Sequence, residues 1–203
     1  LKKSLPRYLS LDESIQLLEA VDEPNQARDY CILTLFLNCG LRISELVSLN
    51  ITDVREVQLR VLGKGNKERT IDNIFLNEAC RAALDDWLEE RSRQATADPN
   101  ALFLTRTHTR MTKDAVHYMV KQRLKKAGLD ASLYSSHKLR HTAATLMLQN
   151  GVDVRTLQEV LGHENLNTTQ IYTHVDNENL RSAAKANPLG RMKKKSPPIP
   201  PGK

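Results

Sequence analysis

Five short segments of this sequence concentrate residues able to grip or attack an anion: Gly40-Leu41-Arg42-Ile43-Ser44-Glu45-Leu46, Gly63-Lys64-Gly65-Asn66-Lys67-Glu68-Arg69, His137-Lys138-Leu139-Arg140-His141, Leu161-Gly162-His163 and Thr169-Gln170-Ile171-Tyr172-Thr173-His174. Two guanidiniums such as Arg42 and Arg140 stay charged at any working pH and can bind both non-bridging oxygens of a phosphodiester through paired N–H donors. Those oxygens gain negative charge in a pentavalent transition state. Fixed donors there lower the barrier, and losing one typically costs about 10²–10³ in rate. An imidazole at His163 can hydrogen-bond a phosphate oxygen, neutral or charged. Taken singly, each residue has a plainer reading: a surface salt bridge for Arg42, a solvated basic helix start for His137 and Arg140, a solvated turn lysine for Lys64, a helix-end cap for His163. Tyrosines such as Tyr8, Tyr30, Tyr118 and Tyr134 read as packing residues.

The elements that must hold these groups are mostly helical. Ser10 and Glu13 have the spacing of a capping box for a helix over about 11–21. An apolar helix over 26–39 ends at Gly40, a natural left-handed stop. Ser44 reads as the cap of a short helix through Leu49, so Arg42 lies at a tight corner between two helices. Val57, Leu59 and Val61 alternate with Gln58, Arg60 and Leu62 as a strand, and 69–75 returns across a Gly-rich turn. Further helices are expected from Asn77, over 113–127, 136–149, 154–161 and 177–186; from Pro188 onward Lys, Pro and Gly predict disorder. His137 and Arg140, three apart, share a helix face. The fold class is mainly α with a small antiparallel β hairpin.

Charge supports an anionic partner only locally. Of the net +6, five charges lie in the last thirteen residues. Basic groups cluster at Arg60, Lys64, Lys67 and Arg69, at Lys121, Arg123, Lys125 and Lys126, and at His137, Lys138, Arg140 and His141. Asp85, Asp86, Glu89 and Glu90 form an acidic face. Such separation suits one positive face meeting phosphates as well as it suits solvated helix surfaces. Cys31, Cys39 and Cys80 lack metal-type pairing and read as core residues of a protein in a reducing cytoplasm. No secretory pattern or membrane-length apolar run is present, so no membrane partner is expected. No carboxylate cluster suits Mg²⁺, Gly63-Lys64-Gly65 is not a P-loop, and the histidines without paired cysteines are poor zinc ligands. No metal and no cofactor is expected.

These five segments, in this order and at these intervals, resemble the tyrosine recombinase (phage integrase) family, most closely its Xer-like members, from about residue 5 to 187. The resemblance implies the tyrosine recombinase catalytic-domain fold and a site-specific recombinase that cuts and rejoins DNA through a 3′-phosphotyrosine, without metal or ATP. It implies catalytic roles for Arg42, Lys64, His137, Arg140, His163 and Tyr172. Tyr172 is the nucleophile, nine residues after His163, and Lys64 the general acid for the departing 5′ oxygen. Chemistry alone does not separate Lys64 from Lys67; motif position favours Lys64. Glu45 is a supporting residue that orients Arg42, and Lys67, Arg69, Lys138 and His141 are DNA contacts.

Expected partners are double-stranded DNA carrying recombination sites and other protomers, a tetramer in synapsis, on the nucleoid in the cytoplasm. Residues 1–187 form the catalytic domain and 188–203 a basic, Pro-rich tail; the family's N-terminal DNA-clamping domain is absent from this chain. The helix over 177–187 is long enough to dock on a neighbouring protomer, as in the family, or to fold back on its own chain. The return strand lacks the Val-Pro ending common in relatives. Two other readings stay open: a non-catalytic helix-turn-helix-type DNA-binding module over 136–161, and a type IB topoisomerase-like enzyme. Chromosome-dimer resolution and movement of a mobile element are equally compatible with the sequence.

Overall fold

The computed structural model describes residues 8–64, 69–153, 155–157 and 177–195, with the backbone alone at 64, 69–72 and 177–180. The elements are helices α1 (Leu11–Glu19), α2 (Gln26–Cys39) and α3 (Ile43–Ser48), strands β1 (Gln58–Lys64) and β2 (Arg69–Phe75), then helices α4 (Glu78–Ser92), α5 (Lys113–Lys126), α6 (Ser136–Gln149) and α7 (Asn177–Ala186). This is the expected class, mainly helical with one antiparallel hairpin among the described residues.

Local signals set most boundaries. Ser10 Oγ accepts from Glu13 N and the Glu13 carboxylate accepts from Ser10 N, both at 3.1 Å, so the capping box forms. Asn77, Thr112 and Ser135 cap α4, α5 and α6 in the same way, each side chain accepting a first-turn N–H. Gly40 ends α2 at φ 62°, a left-handed conformation that a side chain would strain. At α3 the expected Ser44 cap is replaced: Arg42 occupies the cap position, and the Glu45 carboxylate accepts its N–H at 2.8 Å. The carboxylate three residues on satisfies the orphan donor better than a serine already inside the helix.

Helix α2 is buried on nearly every side, with Cys31, Ile32, Leu33, Leu35, Phe36 and Leu37 fully inaccessible. An all-round apolar helix must be wrapped by others. It packs against α1, α4 and α6. Burying each large side chain contributes about 1.5–3 kcal/mol. The three cysteines are buried free thiols in this core, and Cys39 and Cys80 touch across α2 and α4, their Sγ atoms 3.7 Å apart. In the hairpin, Leu59 and Val61 face the core while Leu62 is exposed, and Lys64 pairs with Arg69 at its tip. No helix among the described residues is long and apolar enough to cross a membrane.

The chain's end departs from expectation. Residues 188–195, expected to be disordered, pack on the body. Leu189 is buried, Ala79 N donates to Gly190 O at 2.8 Å, and Asn187 Nδ2 donates to Leu37 O at 3.0 Å. Lys193, Lys194 and Lys195 pair with Glu78, Asp86 and Glu19. Composition hid this, because two apolar residues (Leu189 and Met192) anchor the segment to the core while acids on α1 and α4 answer its lysines. Helix α7 lies on its own chain: Ala183 is buried, Asn77 Nδ2 donates to Ala184 O at 3.0 Å, and the Arg181 guanidinium sits 5.2 Å over the Phe75 ring. The remaining helix expected over 154–161 is described only at 155–157, which is helical.

Candidate active site

Two distant segments meet at one corner. Gly40 turns the chain out of α2, buried Leu41 pins the turn, and Arg42 opens α3 with extended backbone, φ −74° and ψ 150°. Helix α6 packs on α2 and brings Arg140 to this corner. Its Nη1 donates to the Gly40 carbonyl at 2.5 Å. That carbonyl belongs to the C-terminal end of α2, where the partial negative charge of a helix favours a cation.

Glu45 stands between the two arginines. Its Oε1 lies 4.0 Å from Arg42 Nη1 and 3.9 Å from Arg140 Nη1. These are ion-pair separations beyond hydrogen-bond length. One carboxylate therefore lies within ion-pair reach of two guanidiniums. The Arg42 side chain is 25% exposed and that of Arg140 14%, so both lie at the border of protein and solvent. The sequence pointed to Glu45 as the orienter of Arg42; its second reach, to Arg140, and the Gly40 carbonyl as an acceptor were missed. The Gly-x-Arg-x-x-Glu spacing carries the first contact, but nothing local signals one across nearly a hundred residues.

His137 begins the same helix as Arg140 and is exposed. Its Nε2 lies 3.0 Å from Nε2 of His141, one turn on. Burial, and then the positive charges of His137, Arg140 and Lys138, hold the His141 imidazole below its ordinary value of 6.5. Lys138 is half-buried, its N–H directed to Ser135 Oγ at 3.4 Å and its carbonyl accepting from Thr142 Oγ1 at 2.9 Å. Lys64 and Arg69 are register partners at the turn end of the hairpin, where only their backbone is described. Lys67, His163 and Tyr172 lie outside the described residues.

The second basic cluster does not form a phosphate-facing patch. Arg123 is buried and bonds Asp29 at 2.9 Å and Asp22 at 3.0 Å. Lys121 donates to the carbonyls of Ala131 and Tyr134, and Lys126 pairs with Asp22 at 2.8 Å. Three of its four cations are bound by the protein's own oxygens.

A helical body with one hairpin, and two arginines from distant segments held at one corner, defines the class: the chain belongs to the phage integrase family, whose model matches residues 7–179. Within it the chain is 54% identical, over 187 residues, to the tyrosine recombinase XerC of Caldanaerobacter subterraneus subsp. tengcongensis, covering 92% of this chain and 52% of that protein. Its fold matches the crystal structure of XerA recombinase at a TM-score of 0.73 and 36% identity, covering 91% of this chain and 65% of that one. It also matches XerH site-specific recombinase bound to palindromic difH substrate in a post-cleavage complex, at a TM-score of 0.68 and 29% identity, covering 90% of this chain and 53% of that one. The chain thus spans between about half and just under two thirds of the length of these relatives.

Proposed function

We propose that this chain is the catalytic part of a site-specific DNA recombinase that cuts and rejoins strands through Tyr172. Residues 1–187 are the catalytic unit, and a separate DNA-clamping domain completes the grip on the duplex. The Tyr172 oxygen, having given up its proton to become the phenolate favoured by the neighbouring cations, attacks the scissile phosphorus and forms a 3′-phosphotyrosine as the bond to the 5′ oxygen breaks. The 5′ oxygen leaves with a proton from Lys64. A 5′ hydroxyl of a partner duplex then attacks the phosphotyrosine, restoring a phosphodiester and releasing the phenol. The bond energy is conserved at each exchange, so the scheme calls for no nucleotide hydrolysis and no metal.

In this scheme Arg42 and Arg140 hold the non-bridging oxygens, His137 and His163 add hydrogen bonds, and Glu45 sets the direction of both guanidiniums. Lys67, Arg69, Lys138 and His141 contact the DNA backbone. Double-stranded DNA with recombination sites is the substrate, four protomers form the synapse, and the place of work is the nucleoid in the cytoplasm. The observation that carries the reading is the convergence of Arg42 and Arg140 on the one Glu45 carboxylate. Two guanidiniums brought from distant segments to one corner suit a phosphate that gains charge as it reacts.

A nicked suicide duplex, which loses its 5′ hydroxyl after cleavage, tests this. The unaltered chain joined to a DNA-clamping domain of the family should form a covalent protein–DNA adduct on a denaturing gel, and Tyr172→Phe none. Absence of adduct from the unaltered protein sinks the proposal.

A further inference from the structure

A groove of about 410 Å³ opens where the start of α2 meets α5 and the turn over 105–111. Pro24, Met111, Ala115, Tyr118 and Met119 line it. Met111 and Met119 are buried, whereas Tyr118 stands 68% exposed. Most cations around it are already answered: Arg28 and Arg123 bond Asp29 at 2.9 Å, and Lys126 pairs with Asp22. An apolar trough with an exposed tyrosine suits an apolar stretch of chain better than a phosphate backbone.

The last described segment leads toward this groove. Asn187 Nδ2 bonds the Leu37 carbonyl, in the last turns of α2. Lys193, Lys194 and Lys195 then pair in turn with Glu78, Asp86 and Glu19. Glu19 ends α1, and the turn that follows opens α2 at Gln26. The segment therefore runs back along α2, from its C-terminal end to the turn before its start, and Pro24 of that turn lines the groove. Pro24 is five residues past Glu19, at most about 19 Å away at about 3.8 Å per residue. Beyond Lys195 the sequence reads Ser196-Pro197-Pro198-Ile199-Pro200-Pro201-Gly202-Lys203. Prolines at four of five successive positions favour polyproline II, whose rise of about 3.1 Å carries residues 196–201 about 19 Å.

We propose that residues 197–201 dock in this groove of their own chain as a polyproline II segment, with proline rings packed on Tyr118. Proline-rich segments bind aromatic-lined grooves because their extended helix is formed in advance and little entropy is lost on docking. Three residues make one turn, so Pro197 and Pro200 share one face and Pro198 and Pro201 the next. Two adjacent proline faces can therefore meet the trough together. The carbonyls of such a helix have no internal partners, and Arg106 and Gln122, which also line the groove, carry N–H donors for them. The short tether at Lys195 raises the local concentration of the segment, so contacts too weak to hold a separate peptide suffice. This contact is independent of the recombinase reading.

Nuclear Overhauser spectra of the full chain, with isotope-labelled proline and methionine, test the contact. Cross-peaks should join ring protons of prolines 197–201 to the Tyr118 ring and the Met119 methyl, and should persist on dilution. Tyr118→Ala and the Pro198→Ser/Pro201→Ser double variant should each lose them. In the double variant the Met119 methyl resonance should shift, while that of Met147, buried on α6, stays in place. Thermal melts followed by circular dichroism check that each variant is folded; the double variant alters no residue of the body. Absence of the cross-peaks in the unaltered chain, or a Met119 resonance unmoved in the double variant, overturns the proposal. Cross-peaks that vanish on dilution, or that join a labelled chain to an unlabelled one, overturn it in favour of docking by a second copy.

Discussion

Two clusters of arginine and carboxylate in this protein look alike in sequence and differ in structure. At the α3–α6 corner, Arg42 and Arg140 share one carboxylate at 4.0 and 3.9 Å. Between α2 and α5, Arg28 and Arg123 bond Asp29 at 2.9 Å each, while Arg123 and Lys126 also reach Asp22 at 3.0 and 2.8 Å. The second group is closed at hydrogen-bond length and its arginines are buried. The first is looser and reaches solvent. A buried charge must be matched by hydrogen-bonded partners to survive desolvation. The count of basic residues is no guide to the difference; burial and the distance to the shared carboxylate are.

The comparison is open to direct attack. Arg42→Ala or Arg140→Ala should each lower the rate of adduct formation by about 10²–10³, the cost of losing one preorganised donor. Arg140→Lys should not restore it, since a lysine lacks the planar fork. Rates near normal in single-turnover trapping would show that the corner is merely structural. Next in size, Arg123→Met should destabilise the fold by about 3 kcal/mol, the lower end for breaking a buried pair, because Asp29 keeps Arg28. Urea unfolding would measure this, and the adduct rate per folded molecule should be unchanged.

Smaller still, Arg42→Ala should lower the unfolding free energy measured in urea by no more than about 1 kcal/mol, as for a part-exposed pair. A large shift would erase the distinction between the clusters. The last expectation concerns acid. The hydrogen bond from Lys126, helped by the charges of Lys126 and Arg123, holds the Asp22 carboxyl below its ordinary 3.8. A depressed acid contributes stability that is complete above the unfolded value and is lost as pH falls through the folded one. Asp22→Asn should therefore be less stable than the unaltered chain near neutral pH, with the gap closing under acid. Urea midpoints across that range check it; a gap constant with pH would refute the pairing.

Much of this was legible from residue order. The capping box of Ser10 and Glu13, the Gly40 stop, the helix start near Asn77 and the hairpin over 58–64 and 69–75 all follow from partners within a few residues or from a two-residue period. The corner position of Arg42 and the helix shared by His137 and Arg140 followed as well. Lys67, His163 and Tyr172 fall outside the described residues, so their roles rest on motif order alone.

What tertiary structure decided is which charges answer which. Glu45 reaching Arg140, Arg123 turning inward to Asp29, and the lysines of the last segment settling on the acids of α1 and α4 each join residues roughly 90 to 180 apart in the chain. Capping and periodicity are local because backbone hydrogen bonds in helices and turns close over three or four residues. Charge pairing has no such range, and only the packing of α6 on α2, the meeting of α5 with Asp29 and the seating of the last segment on α1 and α4 brought these partners together.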